Sequence, residues 1–445
     1  MNESTPSQTP SRSDSASTPE CSEPSQATAS TRPGATVEKV HDFAGKLQQP
    51  SMWPKVLDYV KWQRALRRAE QEGRAAPDMP ELAPLSINLD LTTACNYACD
   101  HCIDWDILNT KHRLAEEDLR ASIELMAARG LRSVILIGGG EPTLYPGFSG
   151  FVGFLKDLGL QVSVVTNGSR GDRLLEVVER LDERDWIRMS LDSGSNDLFA
   201  AMHKPTSSKV TLDAICEWVP KLKAANPAPR IGFSYIIVWS GASREEHGLH
   251  ENIHEIVMAA ERARDHAFDY IAYKPILERQ ESGAEVMAPG KAEAEEQRVV
   301  ARIRGEVERA KEVAGESLDV YESTNLRMLE DGSWRSLTAQ PKVCHMQALR
   351  QVLTPTGVYN CPAHRGVDKA KLGEKDAYAG PDRAAATGAS LAGLLDSFDA
   401  SHECKEVTCL YNDVNWWLEG LIEDPGRTLR SEEHTSELQS RQYLV

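Results

Sequence analysis

The order of apolar and polar positions divides the 445 residues into unlike stretches. Residues 1–36 hold twenty Ser, Thr or Pro and almost nothing large and apolar. Such a segment cannot bury enough surface to offset the entropy of ordering, so it reads as a disordered tail. From residue 37 to residue 83 the pattern is helical, with Trp53, Val56, Leu57, Tyr59, Val60, Trp62 and Leu66 on apolar faces. A regular alternation then begins. Candidate strands are Leu85–Leu91, Ser133–Ile137, Gln161–Thr166, Ile187–Leu191, Ile231–Val238 and Tyr270–Tyr273. Between them lie helical patterns near Ala115–Arg129, Phe148–Leu158, Arg173–Leu181, Val210–Ala224 and Ile253–His266. Six strands alternating with helices predict an α/β fold with a parallel sheet, its chemistry on loops at the C-terminal strand ends. Six units rather than eight over residues 84–280 suggest a partial (β/α)6 TIM-like barrel.

Beyond the barrel, residues 281–340 read as a helical linker, its Ala/Glu/Lys/Arg-rich part at 285–312 forming a charged surface helix that bridges domains. Residues 341–425 read as a cysteine-rich α+β domain. There Val352–Tyr359 forms two β runs joined by Thr-Pro-Thr-Gly, a hairpin signal, and a helix is expected near Ser390–Phe398, with Trp416 and Trp417 on another. The stretch Arg430–Ser440 is what a widely used short-read sequencing adapter gives when translated in one frame. Residues 430–445 are therefore set aside as read-through, with the genuine C-terminus expected to be missing.

Charge and composition narrow the classes. A net charge of −17 and a pI near 5.3 argue against bulk binding to nucleic acid or to an anionic membrane surface. There is no apolar run of membrane-spanning length and no signal-peptide core, so a cytoplasmic location is expected. In that reducing setting nine cysteines point to metal or catalysis more than to disulfides.

Cys95-Asn-Tyr-Ala-Cys99-Asp-His-Cys102 follows the first strand. Three thiolates in eight residues can grip one face of a metal centre, and a cubane iron–sulfur cluster held by three would keep one iron open. A zinc site taking its fourth ligand from His101 or Asp104 is the alternative at this point. The run resembles the cluster loop of the radical S-adenosylmethionine (SAM) enzymes, in which three Cys hold a 4Fe–4S cluster and SAM chelates the fourth iron. The resemblance implies that His101 lies beside the adenine. One unit later Ile137-Gly-Gly-Gly-Glu-Pro142 ends the second strand and is similar to the family's Gly-Gly-Glu-Pro motif. That likeness implies that Gly139, Gly140 and Glu141 bind the amino group of SAM. Polar residues at the third and fourth strand ends, Asn167, Ser190 and Asp192, are candidates for the ribose and carboxylate, against a plain reading as turn and cap chemistry. The segment Ile236–Ser240 lacks the family's glycine-containing adenine motif. Tyr273 and Lys274, ending the sixth strand, could meet substrate as acid, base or anion clamp. His203-Lys204 resembles a basic patch after the fourth strand of related enzymes but reads as a solvated loop, Cys216 as a small core residue and Cys21 as a bystander in the tail.

Cys344, Cys361, Cys404 and Cys409 meet the ligand count of a closed 4Fe–4S or all-thiolate zinc site. Their order is similar to the auxiliary-cluster domains, SPASM and the shorter Twitch, that follow radical SAM cores, which implies a second 4Fe–4S cluster. Together the resemblances imply an enzyme that cleaves SAM reductively to a 5′-deoxyadenosyl radical and takes hydrogen from a small molecule or peptide, with net oxidation or rearrangement. An electron donor such as flavodoxin or ferredoxin is the implied partner. The rival is a non-catalytic zinc or iron–sulfur binding or electron-transfer protein, which has no use for the glycine-rich turn.

Overall fold

The computed structural model describes residues 43–424 apart from 245–246, 281 and 291–292, together with residue 426. The tail with Cys21 and the adapter-like end lie outside the described residues.

The alternation resolves into parallel strands β1 (Ser86–Leu89), β2 (Ser133–Leu136), β3 (Gln161–Thr166), β4 (Trp186–Ser190), β5 (Arg230–Ile237) and β6 (Tyr270–Pro275). They lie side by side in chain order, each in parallel register with the next. Odd-numbered positions of β5, Ile231, Phe233, Tyr235 and Ile237, are fully buried, while Gly232, Ser234 and Ile236 alternate with them. Period-two alternation of this kind assigns one sheet face to the covering helices and leaves the other for the barrel interior. Arg279, just past β6, donates to the Ile103 carbonyl in the loop after β1 at 3.3 Å. Strands β1 and β6 are five steps apart, about 24 Å in a flat sheet, so the sheet curls into the expected partial barrel.

Local sequence explains the helices and one departure from expectation. Ser195 caps helix Asn196–His203 by accepting from Leu198 N, and Thr211 caps Leu212–Cys216 in the same way. The stretch expected as one helix from Val210 to Ala224 is two, Leu212–Cys216 and Trp218–Ala225. Pro220 lacks the N–H that would bond the Cys216 carbonyl, so the helix breaks there.

The sheet does not stop at the barrel. β7 (Asp319–Glu322) extends it in parallel beside β6, and β8 (Arg350–Thr354) pairs in parallel with β1 on the other edge. β9 (Gly357–Tyr359) and β10 (Lys371–Gly373) then continue from β8 antiparallel, giving a ten-stranded sheet among the described residues. The expected hairpin is present, and its first strand is built into the barrel wall. The stretch expected as a charged bridge is helix Glu293–Ala314, which buries Val299, Ile303, Val307 and Ala310. It is an amphipathic wall helix packed on helix Ile256–Asp265. Its apolar stripe was hidden by the charge of the other face.

Helix Trp53–Gln71 packs on the last described helix, Asn412–Glu423. Between them His345 meets the Tyr59 hydroxyl at 2.9 Å and Glu419 Oε2 at 2.6 Å, and Arg67 also donates to Glu419, at 2.7 Å. Burial opposes ionisation of Glu419, but the bonds from His345 and Arg67 outweigh it and hold its pKa at about 2. A depressed carboxylate stabilises the fold above its unfolded pKa, near 4.5, and loses that contribution as pH falls toward 2. Glu419→Gln is expected to cost about 1 kcal/mol at neutral pH, with the gap from wild type closing between pH 5 and pH 2 in urea unfolding curves.

Candidate functional site

The loop after β1 carries Cys95, Cys99 and Cys102, all half-buried. Burial, then the neighbouring Cys102 and Cys95 thiols, push the Cys99 thiol well above its ordinary pKa. The three thiols share one half-buried loop and are candidate donors for a metal group, with sulfurs spread more widely than the 4.8 Å within which the ligands of a single ion would gather. Candidate fourth ligands nearby make other bonds. His101 Nε2 lies 2.9 Å from Asp192 Oδ2. Asp104 Oδ2 accepts from Gly139 N at 3.0 Å, and its other oxygen meets the Arg365 guanidinium. Both oxygens of Asp104 are taken, whereas a carboxylate on His101 Nε2 still leaves Nδ1 able to ligate, so the zinc alternative keeps one of its two donors while a three-thiol site with an open position also fits these residues.

The glycine turn is held against this loop. Glu141 N donates to Ala94 O at 2.8 Å. A Cβ on Gly140 would stand 2.4 Å from that same carbonyl, and Gly138 and Gly139 both have left-handed φ, +69° and +66°. Glycine is therefore required at all three positions for steric reasons alone. Glu141 was expected to hold a ligand ammonium through its carboxylate, but that group is already engaged. It is buried, and its oxygens accept from Thr143 N at 3.1 Å, the Thr143 and Thr166 hydroxyls at 2.6 Å each, and Asn167 N at 2.7 Å. It ties the ends of β2 and β3 together, leaving the backbone of the turn as the surface a ligand can meet.

Residues 89–265 match the model of the radical SAM superfamily. This stretch is a radical SAM domain. An S-adenosylmethionine-dependent nucleotide dehydratase of Selenomonas ruminantium is 28% identical over 34% of this chain and 56% of its own length. One from Thermoplasmatales archaeon (strain ISO4-H5) is 33% identical over 24% of this chain and 38% of its own. The matched stretches thus span well under two thirds of those relatives. The crystal structure of Streptococcus suis SuiB bound to S-adenosylmethionine overlaps 69% of this chain and 66% of that one, with a TM-score of 0.48 and 14% identity. Members of the superfamily use a 4Fe–4S cluster and SAM.

Within the radical SAM domain the other expected residues divide. Asp192, at φ +50°, is buried and accepts from Ile236 N at 2.6 Å while holding His101. It orients the histidine beside the cluster loop rather than offering a free carboxylate. Asn167 donates to Asn96 Oδ1 at 2.9 Å and reaches Cys95 Sγ at 4.0 Å, so it supports the cluster loop. Ser190, half-buried at the end of β4, carries no side-chain hydrogen bond among the described residues. Lys274 is on the interior face of β6. Tyr273 is not, because it is fully buried under helix Ile256–Asp265 and donates to Ile256 O at 2.9 Å. Its place one residue along the strand turns it away from the mouth, so the acid–base role expected of it is not available. Cys216 is fully buried, as expected of a core residue.

His203 is the residue that sequence reasoning misplaced. It is buried, with Nδ1 3.2 Å from Cys99 Sγ, Nε2 2.9 Å from Leu191 O and Nε2 3.5 Å from Asp192. The Leu191 carbonyl can only accept, which puts the proton on Nε2 and turns the Nδ1 lone pair to Cys99. The signal was its position as the last residue of a capped helix, one turn past Phe199. Lys204 pairs with Asp100 at 2.6 Å and locks that helix end to the cluster loop.

The four late thiols line one apolar cavity with His364, Phe398 and Val407. Burial is the largest cause raising each thiol, to about 11 for Cys344 and about 12 for Cys361, and neighbouring thiols add to it at Cys361, Cys404 and Cys409. Desolvated thiols lining one cavity fit a metal group that would take them as thiolates.

Arg365, four residues after Cys361, crosses to the radical SAM domain. Its guanidinium sits between Asp90, at 3.1 Å, and Asp104. All three are buried, and burial holds Asp90 up at about 6 against the pull of the arginine. Arg365→Met would leave two carboxylates buried without a cation and is expected to cost about 3–5 kcal/mol. Adding Asp90→Asn and Asp104→Asn should recover most of that loss, measured by urea unfolding of the single and triple variants.

Proposed function

We propose that the chain is a radical SAM enzyme acting on a small molecule or peptide. The observation that carries this reading is the cluster loop, with three half-buried thiols at the C-terminal end of β1 and both oxygens of Asp104 tied up in other bonds. Cys95, Cys99 and Cys102 would hold the first cluster. The chemistry supplied when cluster and SAM are bound is reductive cleavage of SAM to a carbon radical that takes hydrogen from substrate. The chain's own part is positional. Asp192 fixes His101, His203 backs Cys99, and the Gly138–Gly140 turn brings bare backbone against the loop. Arg365 and Arg279 tie the late cysteine region and the segment after β6 to the cluster loop side of the barrel.

Cys344, Cys361, Cys404 and Cys409 would hold a second cluster in a SPASM- or Twitch-like region, with structural zinc as the rival occupant. Mycofactocin maturase MftC of Mycobacterium tuberculosis (strain ATCC 25618 / H37Rv) is 29% identical over 30% of this chain, and its name describes maturation rather than small-molecule dehydration. An external one-electron donor of the flavodoxin or ferredoxin class fits the need for reducing power. No helix among the described residues is long and apolar enough to cross a membrane.

Iron and sulfide per chain after anaerobic reconstitution test the reading. About eight irons are expected, falling to about four when Cys95, Cys99 and Cys102 are all changed to Ala. Release of 5′-deoxyadenosine on reduction should vanish in that variant. About four irons falling to none, with zinc retained, would assign the late thiols to zinc. Zinc in place of iron throughout would overturn the radical reading.

A further inference from the structure

Among the described residues the barrel interior sets two cations, Arg188 and Lys274, against one facing carboxylate, Asp192. Register sets Arg188 of β4 beside Gly232 of β5 and Tyr270 of β6, and two residues on it sets Ser190 beside Ser234 and Ala272. Lys274 stands one further layer toward the mouth, opposite Ile236. These residues share the face opposite the apolar positions Ile187, Met189, Phe233, Tyr235, Ile271 and Tyr273.

Every polar group in this set is a donor or can become one, and most have nothing to donate to. The Arg188 Nε is buried without a partner, and so is the Tyr270 hydroxyl. Among the described residues neither Arg188 nor Lys274 makes a salt bridge and both are partly buried, the Arg188 guanidinium stacking over the Trp186 ring 5.1 Å from its centroid. Gly232 leaves room for the Tyr270 ring, which a Cβ there would meet at 1.9 Å. Arg350 of β8 adds a third cation to the wall. It donates to Asn88 at 2.6 Å and stacks over Tyr411, yet its Nε is buried and unpartnered too. Asp192 is the carboxylate that faces both Arg188 and Lys274, and its oxygens are already held by His101 and Ile236 N. Arg188 and Lys274 also repel one another, since the arginine charge helps to lower the lysine's pKa after burial has done most of it. Two cations facing one carboxylate that is already hydrogen-bonded leave net positive charge in a partly desolvated interior, and an anion entering between them would offset it.

We propose that Arg188 and Lys274, with the Tyr270 hydroxyl and the Ser190 and Ser234 layer between them, bind a phosphoryl group of the substrate. This rests on the enzyme reading above and narrows its substrate to a phosphorylated small molecule. Donors approach from three strands and from three heights, a spread suited to a tetrahedral oxyanion rather than to a planar carboxylate, which a single arginine fork satisfies. A phosphoryl group near neutral pH carries close to the two charges that the pair can neutralise.

The test is calorimetric titration of inorganic pyrophosphate, and separately of glutarate, into the anaerobically reconstituted protein with SAM saturating. Wild type, Arg188→Gln and Lys274→Gln are compared, with iron content and SAM affinity measured on the same preparations. Pyrophosphate should bind the wild type at least tenfold tighter than glutarate, and each substitution should weaken it by roughly tenfold or more. SAM affinity and iron should stay unchanged. Thermal unfolding without the anion provides a second reading, in which both variants should melt at or above the wild-type temperature because one of two mutually repelling cations has gone. No pyrophosphate binding by the wild type overturns the proposal. Glutarate binding as tightly, loss of SAM affinity in place of pyrophosphate affinity, or a lower melting temperature in both variants with pyrophosphate binding intact would overturn it too. Absence of iron and SAM binding from a wild type that still takes pyrophosphate would sink the radical reading and leave the anion site standing.

Discussion

A single backbone contact organises the site, the approach of Gly140 and Glu141 to Ala94. The hydrogen bond from Glu141 N to Ala94 O and the absence of any side chain at Gly140 let two loops from neighbouring strands touch main chain to main chain. Everything else in the centre is referenced to that contact. The three thiols begin one residue further on, at Cys95. The Glu141 carboxylate then reaches the end of β3, and through Asn167 the third strand supports Cys95 in turn. A methyl group at Gly140 would push apart the loop that carries the cysteines and the turn that faces them.

Much of this was legible in the sequence, and the failures share a cause. Strands and most helices follow from apolar periodicity, since burial on one face is what forms them. The thiol spacing and the glycine run were legible because few residue types can do those jobs. What the sequence could not give was the partner of each polar side chain. Glu141 reads as a ligand carboxylate until its oxygens are found on Thr143, Thr166 and Asn167. Tyr273 reads as an acid at a strand end, yet strand parity alone turns it into the helix layer while Lys274 beside it faces the interior. His203 looked like loop because its burial depends on Cys99 and Asp192, remote in sequence. The cationic interior was half visible through Lys274, and Arg188 was lost inside an ordinary strand pattern.

Two charged networks beside the thiols do related work. Arg365 joins the late cysteine region to Asp90 and Asp104, and His345 joins it to Tyr59 and Glu419. Both use buried charge in place of apolar packing, which adds little net stability but fixes orientation, because a misplaced partner leaves a desolvated ion behind. His345 adjoins Cys344 in sequence and Arg365 lies four residues from Cys361, so the geometry of the late thiols is coupled to the barrel and to the N-terminal helix.

The pairing of β8 with β1 has a consequence for how this protein can be divided. A boundary drawn between barrel and cysteine-rich region, as the linear sequence invites, would cut through a continuous hydrogen-bonded ladder from β1 through β8 to β10. An excised barrel would present the bare edge of its first strand, the one that leads into the cluster loop, as a template for pairing with other chains. The late region is thus the missing outer wall of the catalytic domain rather than cargo tethered to it. Exchange of such regions between relatives would have to carry the edge strand along with the cysteines.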